Sequence, residues 1–133
     1  MKYIVISVLS VTTIFSACKH KDSIANDHTT PAITVVEPVS SDTSSLSAEP
    51  EIHIEFTATD NVGLSSLTVQ LLDASNTILY SASPTVSNLL VYPFHQHFVP
   101  GGIITVTPMR VKILATDLAG NSENKVIDFF VAP

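Results

Sequence analysis

The chain has 133 residues, a length that suits one domain because two separate hydrophobic cores need more chain than this. The formal net charge is −6 and the six Lys and Arg residues form no basic run, which argues against nucleic-acid binding. A single Cys excludes an internal disulfide and any paired-cysteine metal or redox motif.

Residues 1–17 predict a lipoprotein signal peptide. Lys2 gives a positive start, the uncharged and mostly apolar residues 3–15 follow, and two small residues precede Cys18. The apolar stretch is shorter than the about 20 residues that span a bilayer. Phe15-Ser16-Ala17-Cys18 resembles a bacterial lipobox, with Phe in place of the usual Leu. We therefore predict that Cys18 is lipidated and becomes the N-terminus; an ordinary secretory signal with a chance Cys is the alternative.

Residues 18–31 are predicted to form a flexible tether, because they are polar apart from isolated small or apolar residues. Fully extended, the tether would reach about 45 Å, which keeps the following domain close to its membrane. The predicted location is the bacterial cell envelope, lipid-anchored in the outer membrane. The basic residues that follow Cys18 argue against export to the cell surface, and the membrane leaflet stays open.

From residue 32 the pattern changes to short strands separated by turns. In residues 51–59, apolar Ile52, Ile54 and Phe56 alternate with polar residues, as in a strand with one buried face. Strands are predicted at residues 32–37, 51–59, 65–73, 77–81, 92–99, 109–117 and 124–131. Residues 40–47 are predicted to be a loop, because six of the eight are Ser or Thr.

About seven strands in this length predict an all-β fold, an immunoglobulin-like antiparallel β-sandwich over residues 32–133. A small barrel is the alternative. Pro93 excludes a regular central strand through that point, since proline cannot donate to a second neighbouring strand. Residues 103–106 fit either a short strand or a connection, and the strand register around residues 89–108 stays open.

The histidines provide one candidate metal site. His95 and His97 point to the same face of a strand because side chains alternate with a period of two. If that strand lies beside residues 51–59, as in an immunoglobulin-type sandwich, His53 lies across from it with Glu51 and Glu55 alongside. Three imidazoles with a nearby carboxylate suit Zn²⁺ or Cu²⁺. An exposed set of polar side chains without a ligand is the alternative.

The turns at the opposite pole provide a second and weaker candidate. Asp60 and Asp117 follow strands that end at the same pole of such a sandwich, and Asn121 is close by in sequence. Their oxygen atoms suit Ca²⁺, which takes six to eight hard oxygen ligands. Ordinary turn chemistry is the alternative, because Asp and Asn side chains commonly accept hydrogen bonds from the backbone two residues on.

The combination of motifs resembles an uncharacterised family of Bacteroidota lipoproteins with a single immunoglobulin-like domain of unknown function. The resemblance rests on the lipobox, the turn at residues 60–63, residues 94–97 and residues 115–121, and it covers about residues 31–132. It implies an immunoglobulin-like fold and no established activity. Family positions that this chain matches are His53, His95, His97, Asp117, Gly120 and Asn121.

These observations predict a membrane-anchored envelope lipoprotein with a non-catalytic binding module that takes a divalent metal through surface histidines. A protein- or glycan-interaction module without a metal is the main alternative, and the partner would be an unidentified envelope protein or glycan. A hydrolase is the other alternative function. No nucleophile elbow, phosphate-binding glycine loop or HExxH motif is present in the sequence, so we predict no enzyme activity.

Overall fold

The structure is a computed structural model that describes residues 23–133. The predicted signal peptide and the lipidation site Cys18 lie outside the described residues. A single 3-10 turn at Ile24–Asn26 precedes the strands, and no helix in the described range is long and apolar enough to span a membrane. The strands are Ala32–Glu37 (β1), Thr43–Ser45 (β2), Ile52–Thr59 (β3), Leu64–Leu72 (β4), Ile78–Ala82 (β5), Val91–Phe98 (β6), Thr107–Asp117 (β7) and Ser122–Ala132 (β8).

The strands form two sheets that pack face to face as a β-sandwich, which confirms the predicted fold class. The smaller sheet has the order β1-β3-β6, and the larger has the order β2-β8-β7-β4-β5. All neighbouring strands are antiparallel except β2 and β8, which are parallel.

The prediction that residues 40–47 form only a loop is wrong, because β2 lies within them. Thr43 pairs with Phe130 and Ser45 pairs with Ala132 at the edge of the larger sheet. The strand is only three residues long and its side chains are Thr and Ser, so no apolar alternation marks it in the sequence. Its backbone pairing with β8 is what makes it a strand.

The core lies between the two sheets, and it includes the apolar residues that alternate along β3 as well as Val86 from the loop between β5 and β6. Ile52, Ile54, Phe56 and Ala58 of β3 are at most 1% exposed. Phe56 stacks on Phe94 of β6, with ring centroids 5.0 Å apart. Because successive residues point to opposite faces, this burial directs the intervening side chains of β3 and β6 outward. The outward-facing side chains of β3 are therefore polar.

β6 is an edge strand, which is how Pro93 fits within it. Pro93 pairs with Thr57 of β3, and β6 has no second neighbour in its sheet. A proline without a backbone N–H is tolerated where one edge of the strand is unpaired. Residues 103–106 form no strand, so they do not take the place of β3 beside β6. The register left open in the sequence is thus resolved in favour of the β3–β6 pair.

Gly63, in the turn between β3 and β4, has a backbone conformation that other residues rarely adopt. Its φ is +136°, and a Cβ atom there would lie 3.1 Å from Leu118 Cδ1 and 3.4 Å from Asn88 Cα. We expect Gly63→Ala to lower the free energy of unfolding by at least about 1 kcal/mol, measured by chemical denaturation. Gly101→Ala is the matched control, because Gly101 has no positive φ and open space around it. Equal effects of the two substitutions would contradict this explanation.

Candidate metal centres

The β3–β6 register brings the three predicted histidines together on the outer face of the smaller sheet. His53 pairs directly with His97, and Glu55 pairs with His95 two residues further along. The neighbours on both strands, Ile54 and Phe94, are buried in the core and fix which way the imidazoles point. The juxtaposition predicted from the sequence is therefore present.

The three imidazoles are close enough for one metal ion to contact them all. Ring centroids are 4.1 Å apart for His53 and His97, 4.6 Å for His95 and His97, and 6.0 Å for His53 and His95. One ring nitrogen of each lies within 4.8 Å of the others. Tetrahedral Zn²⁺ with bonds of 2.0–2.1 Å needs ligand nitrogens about 3.3 Å apart. His95 and His97 are exposed, so their side chains have room to rotate and bring the ring nitrogens to that separation.

Two carboxylates lie against the Nδ1 atoms of these histidines. Glu51 Oε2 is 2.7 Å from His97 Nδ1, and Glu37 Oε2 is 3.5 Å from His53 Nδ1. In metal sites a histidine ligand commonly donates its second ring N–H to a carboxylate, which fixes the tautomer and the ring orientation. Here such contacts would leave the Nε2 atoms of His53 and His97 as the nitrogens available to a metal.

His53 Nε2 is a buried nitrogen without a hydrogen-bond partner. Glu49 Oε1 lies 3.0 Å from it, within the distance of an ion pair. The Glu49 side chain is 64% exposed and free to turn into solvent. Buried polar atoms in proteins nearly always have a partner, and the position beside His53 Nε2 is open to the Glu49 carboxylate or to a ligand that displaces it.

An acidic groove of about 220 Å³ adjoins His53. Its lining includes the carboxylates Glu37, Asp42, Glu49 and Glu51. Sequence reasoning identified Glu51 as a neighbour of the histidines but missed Glu37 and Glu49. Glu37 reaches His53 because a register irregularity between Val35 and Glu37 places it opposite Glu55, and no sequence pattern signals that shift. The concentration of negative charge favours the approach of a cation.

The opposite pole brings together the residues of the weaker candidate and adds one that the sequence did not indicate. One carboxylate oxygen each of Asp27, Asp60 and Asp117 lies within 4.8 Å of the others. Asn121 Nδ2 donates to Asp117 Oδ2 at 2.8 Å and to the Asp27 carbonyl oxygen at 3.2 Å. The Asn61 amide, which donates to Asp27 Oδ1, holds the pKa of Asp27 below its usual value, while burial acts in the opposite direction.

Comparison with known proteins adds little to these observations. No protein-family model matches the chain, and no curated protein sequence matches it. Among solved structures, the chain is similar to CopC from Methylosinus trichosporium OB3b, with 15% sequence identity and a TM-score of 0.48. The similarity covers 77% of this chain and 95% of the CopC chain. At this level the CopC structure carries no conclusion about function, and the resemblance to a Bacteroidota lipoprotein family stays a prediction.

Proposed function

We propose that this chain is a lipid-anchored protein of the bacterial cell envelope whose non-catalytic β-sandwich binds Zn²⁺ or Cu²⁺ through His53, His95 and His97. One observation carries the proposal: three imidazoles converge on one face of the smaller sheet, with one ring nitrogen of each within 4.8 Å of the others. The anchor at Cys18 rests on the lipobox-like sequence.

The chemistry of the cluster favours a borderline transition metal over an alkaline-earth ion. Imidazole nitrogen suits Zn²⁺ and Cu²⁺, whereas Ca²⁺ and Mg²⁺ prefer oxygen ligands. Glu37 contacts His53 Nδ1 and Glu51 contacts His97 Nδ1, so each carboxylate would fix the ring orientation of one ligand. Since His95 and His97 are exposed, a bound ion would keep at least one position open to water or to a ligand from a partner molecule.

Titration calorimetry of the tag-free protein with Zn²⁺ and with Cu²⁺ tests the proposal. We expect one saturable site per chain and a rise in melting temperature with metal, because an ion that binds only the folded state stabilises it. His95→Ala should weaken binding at least tenfold and remove the rise, since even loss of a supporting carboxylate typically weakens a metal site by about 10–100-fold. His95 is exposed, so the substitution leaves the core intact.

His28→Ala is the matched control for that titration. His28 is also exposed, and it lies in the N-terminal segment outside the histidine cluster. Its substitution should leave both the affinity and the melting temperature unchanged. The proposal fails if the wild-type protein shows no saturable binding of either metal, or if His95→Ala binds as tightly as the wild type.

A further inference from the structure

A cluster of three carboxylates at the other pole of the sandwich joins the N-terminal segment to the domain. Asp60 follows β3, Asp117 ends β7, and Asp27 comes from residues 23–31, before the first strand. Asp27 and Asp117 are buried, at 6% and 1% exposure. Within the described residues, they are the two charged or polar residues whose burial is nearly complete, and both belong to this cluster.

One oxygen of each carboxylate is committed to holding the local backbone. Asp60 Oδ1 accepts from the Val62 and Gly63 N–H groups at 2.9 and 2.6 Å. Asp117 Oδ1 accepts from the Asn121 N–H at 2.8 Å, and Asp27 Oδ1 accepts from the Thr29 N–H at 3.1 Å. These bonds are the turn chemistry expected of Asp residues, and they fix where the second oxygen of each carboxylate points.

The second oxygens of two of these carboxylates are buried and have no partner. Asp27 Oδ2 and Asp60 Oδ2 are inaccessible to solvent and accept no hydrogen bond. Turn chemistry does not explain them, because it uses only the Oδ1 atoms. Buried carboxylate oxygens are strongly destabilised without a hydrogen bond or a cation, and three carboxylates this close repel one another. A cation bound among them would remove both costs.

We propose that Asp27, Asp60 and Asp117 bind a Ca²⁺ ion that fastens the N-terminal segment to the sandwich. Ca²⁺ takes six to eight oxygen ligands at 2.3–2.6 Å, and three carboxylate oxygens within 4.8 Å of one another are close enough to share one ion. Mg²⁺ binds its ligands at 2.0–2.1 Å, so it needs a tighter arrangement of oxygens, and it gives up its bound water reluctantly. The group contains no His or Cys, which argues against Zn²⁺. This site is independent of the histidine cluster.

A calcium ion on Asp27 would act on the segment that joins the domain to its predicted lipid anchor. Asp27 is nine residues after Cys18, so an ion on Asp27 would fasten the chain to the sandwich close in sequence to the predicted lipid. The Asn121 amide already contacts the Asp27 and Thr29 carbonyl oxygens, at 3.2 and 3.4 Å. Calcium would strengthen this attachment.

Calcium titration of the full chain and of Asp27→Asn tests the proposal. Asn keeps the acceptor used by the Thr29 N–H and replaces the unpaired oxygen with an uncharged group. We expect one Ca²⁺ per wild-type chain, a rise in melting temperature of several degrees and slower amide exchange in residues 23–31. Asp27→Asn should bind Ca²⁺ at least tenfold more weakly than the wild type, and calcium should raise its melting temperature less.

Asp73→Asn is the matched control, because Asp73 Oδ1 holds a turn in the same way and lies outside the cluster. It should bind calcium like the wild type, and so should His95→Ala. The proposal is overturned by any of three results: no saturable calcium binding to the wild-type chain, an equal response to Mg²⁺, or wild-type affinity in Asp27→Asn. Calcium binding without slower exchange in residues 23–31 overturns the role in attachment.

Discussion

Cys18→Ala should move the protein from the membrane fraction to the soluble fraction of a bacterial host. The predicted lipid is attached to the Cys18 sulfur, and each buried methylene of an acyl chain contributes about 0.8 kcal/mol to membrane binding. Several chains together give stable anchoring, so their loss should change the distribution almost completely. Fractionation followed by detection of the protein measures this directly.

The control for the anchor is Ser23→Ala, which lies five residues beyond the lipobox-like sequence and leaves it intact. It should stay in the membrane fraction and incorporate labelled fatty acid, whereas Cys18→Ala should incorporate none. If Cys18→Ala fractionates like the wild type, the lipid anchor is wrong and an ordinary secretory signal takes its place.

Phe56→Ala should lower the free energy of unfolding by about 3–5 kcal/mol. Phe56 is 1% exposed at the centre of β3 and stacks on Phe94, so its truncation removes apolar burial and leaves a cavity. Domains of this size are typically stable by about 5–15 kcal/mol, and the loss is therefore a large fraction of the total. Urea denaturation followed by circular dichroism measures it.

Phe130→Ala separates the core effect from a general effect of losing an aromatic ring. Phe130 is 41% exposed on β8, and its truncation should cost much less than that of Phe56. A comparable loss of stability in both variants would contradict the assignment of the core.

The period-two alternation was enough to predict most of the fold and the histidine cluster. Ile52, Ile54 and Phe56 identify the buried face of β3, so His53 must lie on the other face. The same reasoning applied to His95 and His97 on β6, and the β3–β6 pair is the usual neighbour relation of an immunoglobulin-type sandwich. Whether these side chains bind a metal stays a prediction.

The parts that the sequence did not reveal depend on contacts between distant residues. Asp27 lies in a polar stretch, and the sequence has no periodic signal for its contacts with Asn61 and Asn121, which are 34 and 94 residues away. Glu37 reaches His53 through a register irregularity, and β2 is a strand only because β8 pairs with it. Such features follow from tertiary packing, which local patterning does not encode.

A crystal structure of the protein with one equivalent of Zn²⁺, with anomalous data at the zinc edge, tests the histidine site most directly. We expect a single strong peak at about 2.0–2.1 Å from one ring nitrogen each of His53, His95 and His97. Glu51 should remain against His97 Nδ1 and Glu37 against His53 Nδ1. A peak that contacts at most one of the three histidines, or none at this face of the sheet, would contradict the account.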